Sequence, residues 1–66
     1  MTHYPSPNIL RLKAVIRKTG LSRSSIYLYM KDKAFPKPIS LGQRSVGWIE
    51  KDINDWIETR TNLSRS

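Results

Sequence analysis

The sequence predicts a mainly α protein with a small β-hairpin, laid out as a helix-turn-helix followed by a wing and a closing helix. Three observations carry that prediction. A glycine-containing break, Thr19-Gly20, sits between two segments of helical character. Two short alternating stretches flank the loop Gly42-Gln43-Arg44-Ser45. The apolar residues Ile49, Ile53, Trp56 and Ile57 then recur at helical spacing. Helix, tight turn, helix and hairpin in that order define a helix-turn-helix with a wing, whose second helix can enter a DNA groove.

Taken in order, residues 1–8 hold two prolines and few apolar side chains, and read as a flexible N-terminal arm. Ile9-Leu10-Arg11-Leu12 fits either a short strand or a lead-in to a helix. Residues 13–18 are good helix formers that finish on Arg17 and Lys18, the charge that suits a helix C-terminus. Gly20 can supply the positive φ that stops this helix. Ser22 is placed to cap a second helix over residues 23–33. Its inward stripe would be Ile26, Tyr29, Met30 and the stem of Lys33, while Arg23, Ser24, Tyr27, Leu28 and Lys31 face outward. Pro36 and Pro38 end that helix. Residues 39–41 and 46–48 form the hairpin strands. The last helix starts near Ile49 with Glu50 and Asp52 at its positive end and Arg60 near its negative end. Val15, Leu21, Trp48, Ile53, Trp56 and Ile57 are expected in one core, residues 9–60 form the domain, and residues 61–66 form a flexible tail.

Composition narrows the function. The chain has 66 residues, no cysteine, one histidine and a net charge of +7. A chain this short buries only about 60% of its unfolded surface, so its core must be simple. Without cysteine there is no thiolate metal site or thiol nucleophile, and His3 alone cannot build a metal cluster or a catalytic triad. Asp52 and Asp55 read as solvated helix charges, so no enzyme, cofactor or metal is expected. No apolar run is long enough for a membrane span, and a cytoplasmic location follows. The charge is uneven: residues 1–49 carry nine cations and the single acid Asp32, whereas residues 50–66 carry three cations and four acids. Clustered cations of this kind mark a phosphate-binding face, and double-stranded DNA is the expected partner.

The candidate contacts follow from this layout. Ser22, Arg23, Ser24, Tyr27, Leu28 and Lys31 lie on the recognition helix, where arginine can pair with guanine and hydroxyls can bond bases or phosphates. Leu28 can touch a thymine methyl or a neighbouring protein. Gly42, Gln43 and Arg44 form the wing, and arginine suits the negative potential of a minor groove. Lys13, Arg17, Lys18 and Lys37 are candidate phosphate contacts. A small protein adaptor that binds an acidic regulator or polymerase surface is the reading from another class, served by outward Leu28 and the acidic last helix.

The motifs Thr19-Gly20-Leu21-Ser22-Arg23-Ser24, Ile26-Tyr27, Phe35-Pro36-Lys37-Pro38, Leu41-Gly42, Ser45-Val46-Gly47-Trp48 and Asp55-Trp56-Ile57 occur here in one order. From about Leu10 to Arg60 the chain resembles the AlpA family of phage and prophage regulators. The resemblance implies a winged helix-turn-helix of the MerR-like or excisionase-like sort and sequence-specific DNA binding. It also implies control of integrase or excision genes on a prophage or integrative element, or direct action as an excisionase that bends attachment-site DNA. Further copies of the chain on repeated sites, and an integrase, are the protein partners that follow. Against the family pattern, Leu28 stands where arginine is common, Lys33 where a helix-ending glycine is common, and Gln43 where a second wing glycine is frequent. The long dimerisation helix and effector domain of MerR-type sensors are missing from the pattern.

Overall fold

The computed structural model describes residues 8–65. Its elements are β1 (Ile9–Leu10), α1 (Leu12–Thr19), α2 (Arg23–Lys31), β2 (Ile39–Gly42), β3 (Ser45–Ile49) and α3 (Glu50–Arg65). The predicted class is the one observed: mostly helix with a small antiparallel sheet in a winged helix-turn-helix arrangement. The sheet has three strands in the order β1-β3-β2, one more than the hairpin alone. β1 pairs Ile9 with Ile49 and Leu10 with Trp48, which decides between the strand and the helix lead-in that the sequence left open. The arm predicted over residues 1–8 lies outside the described residues except for Asn8. That residue is tied to the start of α3: its carbonyl accepts from the Glu50 amide at 2.8 Å and its side-chain amide donates to Glu50 Oε1 at 2.9 Å.

Local chemistry explains where the helices stop and start. α1 ends on Gly20 in the left-handed region, φ 75°, with its N–H donating to the Ile16 carbonyl. Thr19 Oγ1 donates to the Val15 carbonyl at 2.7 Å and accepts from the Leu21 amide at 3.2 Å, which closes the turn. Ser22 caps α2 as expected, its hydroxyl accepting from the Ser25 amide at 3.1 Å. α2 ends at Lys31 rather than Lys33. Lys33 has turned into the left-handed region at φ 58° and is exposed, so its stem does not join the inward stripe. The C-terminal helix also differs from expectation: it runs on through Arg65 past the proposed tail boundary at residue 61. No glycine or proline interrupts residues 50–65, and Thr61 Oγ1 donates back to the Ile57 carbonyl at 2.9 Å.

The core takes one buried side chain from each helix, one from the linker and one from β3. Val15 comes from α1, Ile26 from α2, Phe35 from the linker, Trp48 from β3 and Ile53 from α3. Full burial of each such side chain stabilises the fold by roughly 1.5–3 kcal/mol. Leu10, Leu12, Ile16, Leu21, Tyr29, Met30, Trp56 and Ile57 pack around these as partly buried neighbours. Trp56, Leu21 and Ile57 thus join the expected core at its partly buried rim. The two helical stripes predicted from spacing meet at this one centre, which fixes the rotation of α2 about its own axis.

Candidate nucleic-acid interface

That rotation decides what α2 presents. Ile26, Tyr29 and Met30 face the core, so Arg23, Tyr27 and Lys31 form one exposed row at i, i+4 and i+8, with Ser24 and Leu28 beside it. Tyr27 is 51% and Leu28 58% exposed, so both side chains are open to a contact. Arg23, Ser24, Tyr27 and Lys31 make no side-chain hydrogen bond or ion pair with any described residue, so their donors are available. Ser22 is placed differently. Its hydroxyl oxygen holds the helix cap and lies 3.0 Å from the Ser25 hydroxyl, so its first duty is structural.

The wing is the β2–β3 hairpin. Its tip is Gln43-Arg44, with Gly42 already paired to Ser45 across the ladder and a register shift between Ser40 and Gly42. Arg44 adopts φ 57° and Gly42 φ 146°, so the tip needs left-handed backbone at two places but has glycine at one. Arg44 is exposed and makes no ion pair with a described residue.

The cations predicted to hold phosphates separate into two groups. Lys13 and Arg17 share one exposed flank of α1, one turn apart. Lys18 lies on the other flank and pairs with Glu50 at 3.5 Å, at the start of α3. The Glu50 carboxyl is held below its ordinary value of 4.5, first by the Asn8 amide hydrogen bond and then by the Lys18 charge. Lys37 is exposed on the linker. On α3, Lys51 pairs with Asp55 at 2.9 Å, and this contact raises the lysine above its ordinary value. The acidic stretch is thus partly satisfied within its own helix.

The linker between recognition helix and wing is held by groups the charge pattern did not single out. Trp48 Nε1 donates to the Pro36 carbonyl at 3.1 Å, and Trp56 Nε1 donates to the Ala34 carbonyl at 2.8 Å. Phe35 meets both indoles edge-on, with ring centroids 6.4 Å from Trp48 and 4.9 Å from Trp56. Arg60 lies 5.0 Å from the Tyr29 ring and 4.9 Å from the Trp56 ring, bridging α3 to the back of α2. The i, i+4 spacing of Trp56 and Arg60 was the available signal for that last contact. Among the described residues no group of three or more His, Asp or Glu side chains could hold a metal ion, and no helix is long and apolar enough to cross a membrane.

Comparison with known proteins gives the same picture. Residues 8–61 match the family described as "Prophage CP4-57 regulatory protein (AlpA)". The chain is similar to a "DNA-binding transcriptional activator AlpA" of Escherichia coli, 44% identical over 69 aligned positions that cover 96% of this chain and 99% of the relative. It is also similar to an uncharacterised protein, ORF88, of Enterobacteria phage P4, 36% identical over 61 positions covering 85% of this chain and 69% of that one. No solved structure matches the chain. The matched segment begins with Asn8, which anchors α3, and ends beyond Arg60, which braces α2, so it takes in the whole interface: the chain belongs to the AlpA family of prophage regulatory proteins.

Proposed function

We propose that this protein is a sequence-specific DNA-binding transcription regulator of a prophage or integrative element that controls integrase or excision genes. The observation that carries the reading is the exposed, unpaired row Arg23–Tyr27–Lys31 on a capped helix whose rotation is locked by the core. In this reading α2 enters the major groove, with Arg23 and Tyr27 at base edges and Leu28 against a thymine methyl. Arg44 enters the neighbouring minor groove. Lys13, Arg17 and Lys37 neutralise backbone phosphates, while Lys18 contributes mainly through its pair with Glu50. A single module of this size buries roughly 600–1,000 Å² on DNA, so further copies on repeated sites supply the remaining specificity.

Footprinting on the DNA around the protein's own gene, followed by anisotropy titration, tests this. Arg23→Ala is expected to weaken binding by about 1–3 kcal/mol and to relax sequence preference. Wild-type binding that is weak and indifferent to sequence at physiological salt would overturn the regulator reading. Equal loss on every sequence would reduce Arg23 to a phosphate contact. Protected sites in a promoter place the action in transcription, and sites beside a recombination core place it in excision.

A further inference from the structure

Among the described residues only two other than glycine adopt positive φ, Lys33 at 58° and Arg44 at 57°, and both are cations. Arg44 already belongs to the wing. Lys33 has no role so far. It sits in a Schellman motif that closes α2: its own N–H donates to the Met30 carbonyl at 3.0 Å, and the Ala34 N–H donates to the Tyr29 carbonyl at 2.8 Å. The motif demands a left-handed residue, and glycine meets that demand with the least strain. At the end of α1 the chain uses Gly20, φ 75°, for the same task. At the end of α2 it uses lysine.

A strained residue that glycine could replace points to a use for its side chain. The Lys33 side chain is exposed and makes no hydrogen bond or ion pair with a described residue. Together with Met30, Phe35, Pro36, Lys37 and Pro38 it lines a shallow pocket of about 110 Å³. Its lining is mainly apolar, and two lysines, Lys33 and Lys37, contribute to it. It lies directly beyond the last turn of the recognition helix, where Lys31 is also exposed.

We infer that Lys33 and Lys37 form a seat for one sugar-phosphate unit of the DNA backbone at the exit from α2. The apolar lining takes the deoxyribose ring, and the two ammonium groups bond the phosphate oxygens. The seat rests on the DNA-binding reading above and adds a backbone anchor at the far end of the recognition helix. A lysine here would also favour the negative end of the helix dipole, and that is the purely structural alternative.

The two roles part in one experiment on the full chain. Labelled duplexes, one from the upstream region of the gene and one of random sequence, are titrated with wild type, Lys33→Gly, Lys33→Asn, Lys37→Ala and Arg23→Ala over a range of salt. Lys33→Gly relieves the backbone, so its melting temperature is expected to rise by about 3–6 °C. Its affinity for both duplexes is expected to fall roughly three- to tenfold, with the salt slope of log affinity lower by about one. Lys33→Asn, a residue that tolerates the same φ, repeats the loss of binding. Lys33→Gly and Lys33→Asn that bind like wild type with an unchanged salt slope, while Arg23→Ala binds less well, would overturn the seat alone. Wild type that binds neither duplex would overturn the reading beneath it.

Discussion

Gly47 offers the most direct test of how the wing is attached. It is buried in β3, between β1 and β2. A methyl group placed there would stand 2.5 Å from Ile9 Cγ2, 3.0 Å from Leu41 Cδ1 and 3.2 Å from the Leu10 carbonyl oxygen. Relaxed carbon–carbon contacts lie near 3.5–4.0 Å, so Ile9 must withdraw by about 1 Å. Ile9 sits in a strand only two residues long, and its neighbour Leu10 is held in register with Trp48, so the strand cannot shift without loosening a core contact. Overpacking of this kind costs about 1–3 kcal/mol, against which alanine regains about 0.5–1 kcal/mol over glycine within a strand. At the middle of both ranges Gly47→Ala is therefore expected to be less stable by about 1 kcal/mol, a fall of about 4–8 °C in melting temperature for a domain of this size. Thermal unfolding followed by circular dichroism reads this. Ile9→Ala removes the clashing methyl, so the double variant should be more stable than the sum of the two single changes by about 1 kcal/mol. A Gly47→Ala protein that melts within about 2 °C of wild type, or a strictly additive double variant, would refute the packing argument.

Three further outcomes follow from the same geometry. Arg44→Gly relieves a left-handed residue, so it should fold at least as stably as wild type while binding DNA about 1 kcal/mol or more weakly; Arg44→Ala, which keeps the strain, should be the less stable of the two in melting experiments. Trp56→Phe removes the donor to the Ala34 carbonyl and should lower stability by about 1–2 kcal/mol in urea unfolding, with Trp48 as the remaining fluorophore. Glu50 has its folded-state pKa below the ordinary 4.5, so its contribution is present above about pH 4.5 and is lost as pH falls through the folded value. Asn8→Ala, which removes the largest cause of that shift, should flatten the acid side of the stability curve, and an unchanged acid limb in a pH series of melts would contradict this.

Much of this architecture was legible because it rests on periodicity and punctuation. The stripe Ile26, Tyr29 and Met30 specified the buried face of α2, and with it the outward row from Arg23 to Lys31. Gly20 and Ser22 marked the helix-turn-helix break through a φ requirement and a capping oxygen. What escaped was set by tertiary contact. Two residues, Ile9 and Leu10, are too few to show a strand period, and they become a strand only because β3 offers a free edge. Lys33 fitted the helical spacing, but the period carries no information about where a left-handed residue will end the helix. The indole bonds to Ala34 and Pro36 join residues 22 and 12 positions apart, and no local pattern encodes them. Among the candidate contacts, the assignment of Lys18 to phosphate came from charge alone, and its pairing with Glu50 depends on where α3 begins.

The clamped linker has a consequence for the DNA as well as for the protein. With Phe35 buried and a backbone carbonyl on either side of it bonded to an indole, recognition helix and wing are the two jaws of a fixed calliper. A calliper of set opening cannot stretch to suit a duplex whose grooves lie slightly too far apart. If α2 and the wing both hold the duplex as proposed, the adjustment must come from the DNA, by bending or by narrowing of the groove between the two contacts. On that reading, base steps that deform easily are expected to be preferred at positions no side chain touches. Part of the operator's sequence would then be written in stiffness, selected by the rigidity of three aromatic rings behind the binding surface.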